Sequence, residues 1–280
     1  EIADNTGIAL FNTANQSQFT ATNVLDAVGF VGVSAPYFMG TPLPVISASD
    51  GQYSFVRKVP VSGPNSGLPQ DTNNNAADFL LVATDGNLTY SNAALGAPGP
   101  ENLSSPRLTG SVTPSLVDPT SPSTIAPNRA RIQCAQSGPS TGTPVCDQSN
   151  QDVAPLGFLS VRRKFVNNTG ANVTRLRFRI LDITNPTNQA GLGTFVADLR
   201  AITSPTSTTV NTGLGPIVIK GTTLEAPEQN MGGGVNSSLS AGTITLAAPL
   251  TPGSEINVQF LLGVRALGAF RFFVTVEALP

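Results

Sequence analysis

Apolar residues recur at every second position in the most regular stretches of this chain, the period of a strand with one buried face. In Glu255 to Val264, Ile256, Val258, Phe260, Leu262 and Val264 fall on one side, with Glu255, Asn257 and Gln259 on the other. Phe270 to Ala278 alternates likewise, with Phe270, Phe272, Val274, Val276 and Ala278 opposite Arg271, Thr275 and Glu277. Arg265 to Ala269 contains Gly268 and reads as the turn of a hairpin joining these strands. A second hairpin is expected between Phe158–Val166 and Val173–Ile183, through the turn-rich tract 167–172. Shorter strands follow at Thr194–Ile202, Pro216–Lys220, Thr222–Glu225 and Ala241–Ala247, and toward the N-terminus at Gly7–Asn12, Val24–Val31, Ser54–Lys58 and Ala77–Thr84. Between them the stretch from Ala97 to about Pro155 is rich in Pro, Ser and Thr and poor in apolar residues. The pattern predicts an all-β chain of two β-sandwich domains, residues 1–104 and 156–280, joined by a linker or long loop over 105–155.

Composition narrows what such a chain can do. Charged residues make up 11% of the 280, against roughly 25% in ordinary soluble domains, and only three are Lys, so a mostly helical fold is excluded. The formal net charge of −2 gives no bulk attraction to nucleic acid or anionic membrane, and no apolar run reaches the roughly 18 residues of a spanning helix. There is no His, which removes Ser-His-Asp and Cys-His catalysis and imidazole metal sites. The acidic residues are scattered without the spacing of a general acid/base pair, and Gly232–Gly234 lacks a phosphate-loop pattern, so the chain reads as non-enzymatic. The first residue is Glu rather than Met, as expected of a processed or partial chain.

Five segments occurring in order, Gly7-Ile-Ala-Leu-Phe-Asn-Thr13, Leu25-Asp-Ala-Val-Gly-Phe30, Arg57-Lys58, Gln70-Asp-Thr-Asn-Asn-Asn-Ala-Ala-Asp-Phe79 and Ala97-Pro-Gly-Pro-Glu-Asn102, resemble the C-terminal half of bacterial lamin-tail domains. The resemblance covers residues 7–102 and implies an immunoglobulin-like sandwich in a secreted or cell-surface bacterial protein. The strands that normally open that sandwich, ahead of the IALFN strand, are missing here. The remainder, with Leu176-Arg-Phe-Arg-Ile180 and the closing Val258–Pro280, resembles β-domains of uncharacterised bacterial surface proteins.

Several side-chain groups suggest sites. Asp71, Asn73, Asn75 and Asp78 carry oxygens at calcium-loop spacing, but Ala76 and Val82 stand where such a loop has Gly and Glu; an Asx-rich turn accounts for the same residues. Arg175, Arg177 and Arg179 share one strand face, and Arg162, Arg163 and Lys164 lie on the expected partner strand. That set is either a subunit-contact or anion-binding face or a solvated sheet surface; without exposed aromatic platforms it does not suit single-stranded nucleic acid. Asn15, Asn87, Asn102, Asn167, Asn172 and Asn236 each begin an N-x-S/T sequon, and Thr113–Ser123 and Thr203–Thr209 are Ser/Thr/Pro-rich enough for O-linked sugar. No cofactor is expected beyond that calcium.

Taken together, these features point to a structural extracellular protein, a subunit assembling with copies of itself into a pilus-like surface filament by exchanging a strand. The candidate donors are Glu1–Phe11 and Phe270–Pro280, with the N-terminal segment favoured because the C-terminal one has a hairpin partner. The alternative is a surface adhesin or glycan-binding module. Cys134 and Cys146, the only cysteines, pair by exclusion into a disulfide worth about 3 kcal/mol in an oxidising compartment, a reactive thiol being the other reading. Intact mass with and without reductant should differ by one pair of hydrogens; alkylation of both thiols in unreduced native material would contradict the pairing.

Overall fold

The computed structural model describes residues 5–46, 52–60, 68–99, 111–133, 152–186 and 192–280. The chain is nearly all β, and it divides into two compact units, Glu1–Leu81 and Val82–Pro280. In the first unit, β1 (Gly7–Phe11) pairs antiparallel with β2 (Val24–Gly29), in register from Gly7↔Gly29 to Phe11↔Val24. Phe11 stacks on Phe19 at 4.3 Å and meets Tyr37 edge-on at 6.1 Å, anchoring the ribbon's inner side. Ile8, Leu10 and Leu25 point outward and are exposed. Gly29 is required by a close approach, since a Cβ there would lie 2.2 Å from the Tyr37 carbonyl oxygen. The strand β3 (Tyr53–Arg57) runs beside β4 (Phe79–Ala83), which a single helical turn, α1 (Asn75–Asp78), leads into.

The second unit is a β-sandwich. Its first sheet is centred on two 12-residue strands, β8 (Gly157–Asn168) and β15 (Glu255–Ala266), paired antiparallel from Glu255↔Val166 to Gly263↔Phe158. On the far side of β8 lie β6 (Ser111–Leu116) and β7 (Arg129–Gln133), placed end to end. On the far side of β15, β10 (Asp198–Ile202) pairs with Leu261–Ala266, while the hairpin of β11 (Ser207–Thr212) and β12 (Gly215–Lys220) joins through Lys220↔Val258. The second sheet has the order β13 (Thr222–Leu224), β14 (Ser238–Ala241), β9 (Arg175–Ile183), β16 (Phe272–Leu279). The pair β5 (Ala94–Leu95) and the end of β4 run parallel through Val82↔Ala94.

The alternating faces explain the sandwich. Leu159 and Phe165 of β8, and Val258, Phe260, Leu262 and Val264 of β15, pack against Leu176, Phe178 and Ile180 of β9 and Leu239 of β14 in one buried cluster. Phe178 lies 4.8 Å from Phe165 and 4.9 Å from Phe260, ring centre to ring centre, and Phe260 lies 5.5 Å from Phe272. These tilted and edge-on pairs add roughly 0.5–1.5 kcal/mol each to what area burial supplies.

That core corrects both expected hairpins. The strands β8 and β9 belong to opposite sheets, as do β15 and β16; β9 pairs with β16 instead, from Phe272↔Ile183 to Leu279↔Arg175. A hairpin would keep both apolar faces on one side of one sheet, whereas crossing over turns them toward each other and removes both from water. The stretch read as a linker is also corrected in part, because β6 and β7 are sheet strands. Pro114 is tolerated because β6 is an edge, where an absent N–H interrupts no ladder. The expected Ala241–Ala247 strand lies earlier, at Ser238–Ala241, and Ser207–Thr212, read only as a Ser/Thr tract, is a strand.

Asp118 ties the loop after β6 to the tip of the β11–β12 hairpin. Its carboxylate accepts from the Gly213 N–H at 2.9 Å, from the Thr120 hydroxyl and N–H, and from the Ser121 hydroxyl. The Gly213 N–H foremost, then the Thr120 hydroxyl, lower its pKa from 3.8 to about 2. A depressed acid stabilises the fold above its unfolded pKa and loses that contribution as pH falls through the folded one. Urea midpoints should therefore drop for the wild type between pH 4 and 2 by more than for Asp118→Asn. Equal drops would contradict this role.

Candidate functional site

Among the described residues, β16 has a neighbour on one side only. Its register against β9 shifts once, between Phe273 and Val274, and is regular from Val274 to Leu279. Phe272, Val274 and Val276 face the core but are only partly buried, and Phe273 is exposed. Along its other side no strand among the described residues pairs with this largely apolar strand, although Glu277, Ala278 and Leu279 at its end are buried.

Among the described residues, the edges of β13, β6 and β7 are guarded and that of β11 is polar. The strand β13 is only three residues long, β6 contains Pro114, and β11 shows exposed Ser207, Thr208 and Thr209 to solvent. The strand β7 turns Arg129 and Arg131 inward, since directly paired residues share a face and these oppose Val161 and Leu159. Short strands, Pro and inward charges are the devices by which sheets avoid edge-to-edge pairing. Beyond the shift at its start, β16 has none of these.

The outer face of the second sheet is an ionic layer. Arg177 and Glu277 are directly opposed on β9 and β16, and Arg177 Nε donates to Glu277 Oε2 at 2.5 Å. Arg179 Nε reaches Glu277 Oε1 at 3.0 Å, and its Nη1 donates to Asn236 Oδ1. Arg175 pairs with Glu225, which also accepts from Ser240, and Arg271 pairs with Asp182 at 2.7 Å. The layer is buried: the Arg177 and Glu277 side chains are 6% and 2% exposed.

The basic residues grouped from the sequence thus separate onto two sheets. Arg175, Arg177 and Arg179 neutralise acids of this same chain, while Arg162, Arg163 and Lys164 lie on β8. Lys164 pairs with Glu255 at 3.1 Å, and Arg162 donates to Gln259 and to the Pro127 carbonyl. Burial lowers the pKa of Arg162 and of Arg163, the latter also through the nearby charge of Arg129. Glu225 and Glu277 escaped the sequence reading because nothing in a strand's pattern announces a partner 50 or 100 residues away.

In the first unit, the Asx-rich turn is internally bonded. Burial raises the Asp78 carboxyl, but donors from the Thr72 N–H and hydroxyl, Gln70 and the Asn74 N–H outweigh it and hold the pKa low. Asn75 points inward, its Oδ1 accepting from the Gly29 N–H at 3.0 Å and its Nδ2 donating to the Ala27 carbonyl. Asp71 accepts from the Asn73 N–H, and Asn73 has φ +56°. Among the described residues no three acidic or cysteine side chains are grouped to hold a metal.

Of the sequons, Asn15, Asn87 and Asn172 are exposed. Asn167 is fully buried, donating to the Ala171 and Leu250 carbonyls, and Asn236 is buried against the Ala97 carbonyl, so neither offers its amide to a glycan in the folded chain. Asn102, Cys134 and Cys146 lie outside the described residues. No described helix is long and apolar enough to cross a membrane. Comparison with family models, with curated proteins and with solved structures gives no match.

Removing one charge from a buried pair leaves the other uncompensated, at a cost of about 3–5 kcal/mol, whereas an apolar replacement of both is far milder. Glu277→Gln should accordingly lower the urea midpoint strongly, and Arg177→Met with Glu277→Leu should recover much of the loss. Additive losses in the double variant would show that the two side chains do not act as a pair.

Proposed function

We propose that this chain is a structural, self-associating subunit, assembled head to tail into an extracellular fibre of bacterial surface type. The observation that carries the reading is the unguarded edge of β16, beside three better-protected kinds of edge on the same sandwich. An exposed strand edge is a template for a neighbouring strand. The low charge content favours this, because little of the surface must shed ionic hydration on packing. The resemblance of residues 7–102 to lamin-tail domains supports a surface location and an immunoglobulin-like first domain.

Both expected donor strands are paired within their own sheets. Gly7–Phe11 of the expected N-terminal donor is paired with β2, Glu1–Asp4 lying outside the described residues, and Phe272–Leu279 is held by β9. Neither strand needs to leave its sheet for assembly. The edge of β16 accepts the edge of β1 on the next copy, whose outward Ile8 and Leu10 are 57% and 62% exposed. The two contact surfaces differ, so the contact is heterologous and propagates into a fibre.

Electron microscopy and sedimentation of the intact chain should show fibres. Phe273→Lys with Thr275→Lys on β16 should give folded monomers, and so should Ile8→Lys with Leu10→Lys on β1. An equal mixture of the two variants retains one good contact per pair and should stop at dimers. A wild type that stays monomeric at all concentrations, or a β16 variant that still forms fibres, would overturn the proposal.

A further inference from the structure

A cavity of about 260 Å³ opens on the inner face of the first sheet in the second unit, beside the connection from β15 to β16. Its floor is Leu159, Leu199 and Val264, all members of the buried core, and Leu267 and Phe270 form a wall. Arg129 and Arg131 of β7 line the remaining side, carried inward by their register against β8. Arg163 lies on the same face of β8, two positions beyond Val161, close enough to Arg129 for the two charges to repel. Among the described residues no Asp or Glu lines the cavity.

The two lining arginines are fixed without being neutralised. Arg131 donates to the Phe158 carbonyl at 3.0 Å and to the Leu156 carbonyl at 2.6 Å, and burial lowers its pKa. Arg129 Nε donates to the Thr124 carbonyl at 3.0 Å while its guanidinium sits over the Phe270 ring, 5.5 Å from the centroid. Its Nη groups have no acceptor among the described residues. Elsewhere in this unit Arg175, Arg177, Arg179, Arg200, Arg265 and Arg271 all meet carboxylates. Here the cations are concentrated and, among the described residues, no carboxylate meets them.

We propose that this cavity is a binding site for a small carboxylate with an apolar body, its tail on Leu159, Leu199 and Val264 and its carboxylate accepting from Arg129. Each half of the site excludes a simpler ligand. An inorganic anion leaves the leucine floor wetted, and a neutral hydrocarbon leaves desolvated guanidinium groups without a counter-charge. The volume exceeds the roughly 150 Å³ of an apolar cavity that takes benzene and lies just below the roughly 300–1,000 Å³ of drug-sized pockets, so the ligand is small. A planar guanidinium backed by an aromatic wall suits the paired oxygens of a carboxylate. The site goes beyond the assembly reading and does not depend on it, since no residue of it lies on the β16 edge.

Octanoate is the probe, added to the full chain with methyl-labelled leucine and valine. Saturable shifts are expected at Leu159, Leu199, Val264 and Leu267, with octanol and inorganic phosphate binding at least about tenfold more weakly. Arg129→Gln should weaken octanoate by about tenfold, Arg129→Lys by less, and neither should change the affinity for octanol. Undiminished binding to Arg129→Gln, equal affinity for octanol, or no shift at millimolar octanoate would overturn the proposal. So would methyl contacts placing another segment of the chain in the cavity.

Discussion

The rings of Phe165, Phe178, Phe260 and Phe272 must share one water-free space, and most of the second unit follows from that demand. Phe165 and Phe260 sit on neighbouring strands of one sheet; Phe178 and Phe272 sit on neighbouring strands of the other. Phe178 touches both rings opposite it. To bring these four together the chain must leave its sheet after β8 and again after β15. It cannot fold back as a local hairpin at either place. The crossing pairs β9 with β16, strands about a hundred residues apart, and that pairing in turn sets Arg177 against Glu277 on the opposite face.

Each sheet of the sandwich therefore has two very different sides. Inside, apolar area removed from water supplies the stabilisation, at roughly 25 cal/mol per Å². Outside the second sheet, arginines and glutamates are enclosed and neutralise one another, a poor source of net stability but a costly one to unbalance. With 11% charged residues in the chain, committing so many of them to internal pairs leaves a surface rich in Ser, Thr, Asn and short apolar side chains. Covering such a surface strips few ions of water.

The strands with strong alternation were legible in the sequence to within a few residues, because a half-buried strand repeats every two positions and little else does. Glu255–Val264 and Phe270–Ala278 correspond to β15 and β16 almost residue for residue. Their partners were not legible. Alternation states which face is buried, never which sheet it lies in, and a Gly-containing connection serves a hairpin and a crossing equally well. The edge strands β6 and β7 were hidden for a related reason: half of each faces solvent or carries an inward arginine, so Pro, Ser and Arg mask the period. The arginine faces were legible, but the acids that meet them were not, and Arg129 and Arg131 gave no signal because what distinguishes them is the absence of a carboxylate among the described residues around them. Asp78 and Asn75 show the reverse case, a cluster conspicuous in sequence whose side chains are engaged within the chain, Asp78 by its own turn and Asn75 by the backbone of Ala27 and Gly29.

The arrangement in which β16 pairs with β9 and, among the described residues, with no other strand is the point on which the account turns. Amide hydrogen exchange with cross-strand proton contacts, measured on dilute unassembled protein, reads it directly. The account predicts contacts between Val276 and Phe178 across the ladder, and an alternation of slow and fast amides from Val274 to Leu279 as successive N–H groups face β9 and the open edge. Contacts joining Phe272–Leu279 to Glu255–Ala266 as a hairpin, or uniform protection along β16 in the monomer, would contradict it.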